Sequence, residues 1–159
     1  RFRRPRLRLH VGRGELLREG SDVALIAIGV MVVPALQAAE RLAGDGISAA
    51  VVNARFVKPL DHALLGRVAA RVKCLVTVEE GCRMGGFGSA VLESLSEQGL
   101  GHLPTKVIGL PDHYIEQGPQ SLLRLKYGLT ADGIYEEARE MLAQANLGAR
   151  ADAGLEERR

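Results

Sequence analysis

Apolar residues come along this chain in two rhythms. Asp22–Ile28 (DVALIAI), Ile47–Val52, Lys73–Val78 and Thr105–Leu110 are short, nearly continuous apolar runs rich in β-branched residues. That is the pattern of strands covered on both faces. Gly14–Arg18 predicts one further short strand. Between these runs the apolar positions spread to helical spacing. A helix is predicted from Val33 to Ala43, with Pro34 near its first turn, where a missing N–H costs nothing. Its apolar face is Leu36, Ala39, Leu42 and Ala43, and Gly44 and Gly46 end it. Asp61 caps a second predicted helix reaching about Val72, after a loop over Asn53–Leu60. Further helices are predicted from Gly86 to Gln98, stopped by Gly99, and over Gln120–Lys126. Thr130 caps a last one to about Asn146, with Ile134, Ala138, Met141 and Leu142 as its buried stripe. Glu79–Met84 reads as a turn and Pro111–Pro119 as irregular.

Strands alternating with helices call for a mostly parallel sheet with helices on both faces. No internal repeat is visible. The 159 residues suffice for one domain, placed at 14–147, behind a basic arm at 1–13 and ahead of a flexible tail at 148–159 whose residues are small or charged. The chain opens at Arg1 and is expected to be a piece of a longer polypeptide.

Composition narrows the class. Hydrophobic residues make up 47% and charged ones 25%, a globular balance, but aromatics are only 4% and Trp is absent. The core must therefore be aliphatic, which suits an α/β layer protein better than an aromatic-rich sandwich. No apolar run approaches the length of a membrane span and no signal peptide is seen, so no membrane partner and a cytoplasmic location are expected. The net charge of +2 is misleading. Residues 1–13 hold six Arg and no acid; without them fifteen basic residues face nineteen acidic ones, a net of −4. The arm is expected to be a solvated linker rather than a nucleic-acid contact, because no aromatics interleave its charges. The two cysteines make no disulfide framework. Cys74 sits in an apolar strand, and Cys82 lies beside Arg83 in a glycine-rich turn.

The stretch Val76–Val91, VTVEEGCRMGGFGSAV, carries the most information. A strand ends in Glu79 and Glu80, Gly81 follows, and Met84, Gly85, Gly86, Phe87 and Gly88 lead into a helix. Acids where a strand ends, beside a helix start with free N–H groups, mark a site or a domain joint at the carboxyl edge of an α/β sheet. Adjacent strand residues point to opposite faces, so the two acids cannot easily serve one substrate atom. One is expected to accept hydrogen bonds from the helix start and the other to face a partner domain. Gly86-Phe87-Gly88 comes close to a dinucleotide fingerprint, but Val91 stands at the third glycine position, and tight helix packing is favoured. Val78, Met84 and Phe87 put apolar bulk around the turn, as an interface would. Asp112 and His113 are a possible acid–base pair, with turn formation as the plainer reading. No catalytic constellation is legible.

The segments LREGSDVALIAIGVMVVPALQAAERLAGDGISAAVVNARFVKPLD, VTVEEGCRMGGFGSAVLESL and GLPDHYIEQG, in this order, resemble the C-terminal domain of transketolase-like, thiamine diphosphate-dependent enzymes. LPDHYIEQG followed by YGLTADGI favours the 1-deoxy-D-xylulose-5-phosphate synthase branch of that family. The resemblance covers about Val11 to Leu147. It implies a three-layer α/β/α domain with a five-stranded, mostly parallel sheet and one antiparallel edge strand, assigned to Gly14–Arg18. It implies thiamine diphosphate and magnesium as cofactors of a full-length transferase, bound by preceding domains of the same polypeptide rather than by this chain. The Gly44-Asp45-Gly46 triplet imitates the start of the metal–diphosphate motif, but no Asn stands near position 72 to complete it, and Asn53 is too close.

The resemblance therefore implies a scaffold and homodimerisation role, with no catalytic, cofactor or metal residue in this chain. Two alternatives stay open at this point. One is the equivalent domain of transketolase or of a 2-oxoacid dehydrogenase β subunit, acting in the latter as a docking module. The other is a free-standing, doubly wound small-molecule-binding domain.

Overall fold

The computed structural model describes residues 9–156, with side chains through 147. Most of the expected arm, residues 1–8, and the last three residues of the expected tail lie outside the described residues. Five strands form one sheet: β1 (Glu15–Arg18), β2 (Val23–Ala27), β3 (Ala49–Asn53), β4 (Cys74–Cys82) and β5 (Thr105–Leu110). Their spatial order is β1-β3-β2-β4-β5. All pairs are parallel except β1 with β3, which makes β1 the antiparallel edge as expected. Five α-helices cover the sheet: α1 (Val32–Gly44), α2 (His62–Ala69), α3 (Phe87–Glu97), α4 (Gln120–Lys126) and α5 (Ala131–Glu156).

The pleat sends alternate residues of each strand into two separate cores. On one face Val23, Leu25, Val51, Cys74 and Val76 pack under α1 and α5 with Leu42, Ile134 and Ala138. On the other, Ala24, Ile26, Val52 and Leu75 pack under α2 and α3 with Leu65, Phe87, Val91 and Leu95. Every residue of β2 is fully buried, which explains its unbroken apolar run. The result is a three-layer α/β/α sandwich.

Both predicted caps form. Asp61 Oδ1 accepts from Leu64 N–H at 3.0 Å, and Thr130 Oγ1 from Gly133 N–H at 3.1 Å. Five expectations need correction. The buried stripe of α1 is Ala35, Ala38, Ala39 and Leu42, while Ala43 is exposed. α2 stops at Ala69 rather than near Val72, and α5 continues past Asn146 to Glu156. A 3-10 turn, Gly29–Met31, links β2 to α1 where the sequence suggested only a break.

The fifth correction positions the site. Glu79–Met84 is not a turn from its first residue: β4 runs through both acids to Cys82. Leu110 holds its far end, pairing with Cys82 and accepting from Arg83 N–H at 2.9 Å. Between the pairs Val78–Ile108 and Cys82–Leu110, four steps on β4 face two on β5. This is a bulge, and bulges re-aim side chains at the rims of sheets.

Candidate domain-joint site

Glu79 is 3% exposed, which is unusual for a carboxylate. Its two oxygens divide the first turn of α3. Oε2 accepts from Phe87 N–H and Oε1 from Gly88 N–H, both at 2.8 Å. These N–H groups have no partner inside the helix. An acid there also gains from the positive end of the helix dipole. Each charge-assisted bond of this kind is worth about 1.5–3 kcal/mol. One of the two sequence expectations for the acids is therefore met.

Glycines wall this niche because there is no room for a side chain. A Cβ on Gly81 would lie 2.7 Å from Glu79 Oε2. One on Gly86 would lie 2.1 Å from the Cys82 carbonyl oxygen and 2.5 Å from Oε2. A Cβ on Gly88 would meet Val107 Cγ1 at 2.4 Å and Thr77 Oγ1 at 2.8 Å. Gly109, opposite the bulge, would meet the Gly81 oxygen at 3.0 Å. The expected tight packing of this helix on the sheet is what these approaches describe. Gly85 serves differently: its φ of +71° lets the chain reverse before α3. Ser89 fastens that turn, accepting from Gly85 N–H and donating to the Arg83 carbonyl, each at 3.0 Å.

Glu80 is half-buried and turns to the opposite layer. Its Oε1 accepts from Arg124 Nε at 2.7 Å and Nη2 at 2.6 Å, with Gln120 Nε2 at 3.4 Å. The acid expected to face a partner domain thus holds α4 of its own chain. Phe87 also needs correction: it is 2% exposed and belongs to the core with Val91 and Leu95, so it offers no apolar surface. Val78 is likewise fully buried. Met84 alone of the three is exposed, at 70%.

Asp112 and His113 are both exposed and make no hydrogen bond to each other among the described residues. Asp112 Oδ1 lies 3.8 Å from Cys82 Sγ, and the His113 ring sits 6.3 Å from that of Tyr127. The plainer reading, turn formation, fits. His62, for which the sequence implied no partner, meets Ser94 Oγ through Nδ1 at 2.8 Å. Ser94 is 1% exposed and also bound by Gln98, so its hydroxyl is no nucleophile for an outside substrate. Asp61 does not complete a triad, since its oxygens serve Leu64 and Gly14 N–H.

Gly44-Asp45-Gly46 does not suit a metal–diphosphate group. The triplet ends α1, with Gly46 at φ +77°. The Asp45 carboxylate is already taken by the Tyr135 hydroxyl at 2.5 Å, with Arg139 Nε 3.9 Å away. That bond raises the Tyr135 pKa above its ordinary value, with burial as a second cause. Among the described residues no three or more His, Cys, Asp or Glu side chains gather as metal ligands. Nor is any helix among them long and apolar enough to cross a membrane.

Residues 12–134 match the family model "Transketolase, C-terminal domain", and the chain belongs to that family. Similar curated proteins include 1-deoxy-D-xylulose-5-phosphate synthases. The 1-deoxy-D-xylulose-5-phosphate synthase 1 of Geobacter sulfurreducens is 51% identical over 133 residues, covering 84% of this chain and 21% of the relative. The synthase of Desulforudis audaxviator is 55% identical over 130 residues, covering 82% and 20%. The chain therefore spans about a fifth of the length of these curated relatives. Among solved structures, a split-gene transketolase described as an inactive beta4 tetramer superposes with a TM-score of 0.79 at 39% identity. That match covers 88% of this chain and 44% of the other.

Proposed function

We propose that this chain is the C-terminal domain of a 1-deoxy-D-xylulose-5-phosphate synthase, where it acts as a scaffold and homodimerisation domain without catalytic groups of its own. In this reading the preceding domains of the same polypeptide hold thiamine diphosphate and magnesium. There pyruvate and glyceraldehyde 3-phosphate become 1-deoxy-D-xylulose 5-phosphate and carbon dioxide, in the cytoplasm. Sequence identity near one half to such synthases favours this branch over the 2-oxoacid dehydrogenase alternative.

The observation that carries the scaffold role is a row of exposed apolar residues at one edge. Val30, Val57, Met84 and Tyr114 follow the carboxyl ends of the four adjacent parallel strands, β2, β3, β4 and β5 respectively. They are 53%, 38%, 70% and 95% exposed. Apolar side chains collected along one rim suit burial against a neighbour.

Sedimentation velocity over a concentration series tests the reading. Weak self-association is expected, shifting towards monomer in Met84→Asp/Tyr114→Asp, because like charges oppose a symmetric contact. Calorimetry with thiamine diphosphate and magnesium is expected to show no saturable micromolar binding. A double variant that associates like the parent, or tight cofactor binding by the chain alone, refutes it.

A further inference from the structure

The edge opposite β5 holds a cleft that the family role leaves unused. α2 packs over β3 and β2 and stops at Ala69, so the α2-side face of edge strand β1 is only partly covered. A cleft of about 440 Å³ remains between them. Its floor is apolar, formed by Leu16, Ala50 and Val68. Three arginines line it: Arg13, which precedes β1, and Arg67 and Arg71. Arg67 belongs to the last turn of α2, and Arg71 stands in the turn just beyond the helix.

The charge in this cleft is not internally balanced. Arg41, Arg55, Arg124 and Arg139 each hold a carboxylate elsewhere on the molecule. Arg67 and Arg71 hold none among the described residues. Two acids line the cleft, Asp61 and Glu19. Asp61 is committed: Oδ1 accepts from Leu64 N–H and Oδ2 from Gly14 N–H at 3.1 Å, with Arg13 Nη1 3.7 Å from Oδ1. With Asp61 set against Arg13, the exposed Glu19 is the one other acid lining the cleft, so three guanidiniums face two carboxylates.

Planar, always-charged guanidinium groups are suited to phosphate oxygens, which they bind in pairs. An apolar floor beneath a few polar groups, at this volume, is the make-up of a small-molecule site. It does not suit a nucleic-acid duplex, which requires an extended basic surface. We propose that the β1–α2 cleft binds a small organic phosphate. The dianionic phosphate would lie between Arg67, Arg71 and Arg13, and its apolar body on Leu16, Ala50 and Val68.

The test is a ¹⁵N NMR titration of the 159-residue chain with phenyl phosphate and, separately, inorganic phosphate at equal ionic strength. Phenyl phosphate is expected to shift the amides of Gly14, Leu16, Arg67 and Val68 saturably, one to one, with Kd below about 1 mM. Inorganic phosphate should bind at least about threefold more weakly, because it leaves the apolar floor bare. Arg67→Ala/Arg71→Ala should weaken phenyl phosphate at least about tenfold; Arg139→Ala, on the far layer, should not. If the double variant does not fold, Arg67→Gln alone serves and should weaken binding in the same sense. Shifts scattered over the surface without saturation, equal affinity of the two phosphates, or unchanged binding by the cleft variants would overturn the proposal.

Discussion

Replacing Gly86 by alanine adds one carbon where the structure has no space for it. That Cβ would lie 2.1 Å from the Cys82 carbonyl oxygen and 2.5 and 2.9 Å from the two oxygens of Glu79. The carbonyl belongs to the end of β4 and cannot move without disturbing its pairing with Leu110. The Glu79 carboxylate can move only by releasing Phe87 and Gly88 N–H. Overpacking of this kind costs about 1–3 kcal/mol. Loss of one charge-assisted bond adds about 1.5–3 kcal/mol. Gly86→Ala should therefore destabilise by about 2.5–6 kcal/mol. Gly44→Ala is the matched control: a Cβ there meets nothing within 4 Å, and the residue ends α1 without a positive φ. It should be neutral or stabilising by up to about 1 kcal/mol. Urea unfolding followed by circular dichroism reads both variants. A loss below about 1 kcal/mol for Gly86→Ala, or equal losses for the two, would refute the account of the glycines as space for the carboxylate.

Glu79→Gln keeps the shape but presents an amide whose NH₂ faces one of the two α3 N–H groups. A loss of about 2–3 kcal/mol is expected in the same assay, and a variant as stable as the parent would show that the charge is idle. The Asp22 pKa is lowered, chiefly by the Lys73 bond at 2.8 Å and then by Ser48 N–H at 2.9 Å. A lowered folded value means that its contribution is present above the ordinary 3.8 and disappears as pH falls through the folded value. The stability gap between parent and Asp22→Asn should therefore close under acid titration below about pH 4; a constant gap would contradict this. Burial pushes the Cys74 thiol up to about 11, with the Asp22 charge a lesser cause. Cys74 is fully buried while Cys82 is half-buried. In native protein a thiol-disulfide reagent near pH 8 should label Cys82 fast and Cys74 only at the unfolding rate, as mass spectrometry after digestion would reveal.

The layer architecture was legible because it depends on local rhythm. Fully buried β2 could only read as VALIA, and the caps at Asp61 and Thr130 are set by residues within three positions of their partners. The region around Glu79 was legible as a place but not as a geometry. Two acids and a glycine have poor strand propensity, so β4 looked finished at Val78. Its continuation depends on Leu110, far along the chain, and no local pattern reports that pairing. Phe87 is different, since a signal was present. Phe87, Val91 and Leu95 fall four residues apart, the spacing of a buried helix face, and that period outweighs the glycines beside it. The cleft lined by Arg13, Arg67 and Arg71 was invisible for a plain reason: Arg13 precedes the antiparallel edge strand, far along the chain from the end of α2 where the other two stand.

The adjacent acids of β4 impose a rule on chain length. Glu79 fastens α3 on one face of the sheet and Glu80 fastens α4 on the other, so consecutive residues act as rivets for two different layers. One residue inserted or deleted between Thr77 and Glu79 would exchange their directions. It would aim Glu79 at the α4 layer and Glu80 at α3, and both attachments would fail together. The reversal at Arg83–Gly85, where all three residues are exposed, carries no such constraint. A length change there would leave both carboxylates aimed as they are, at the cost of the Ser89 bonds that fasten the turn.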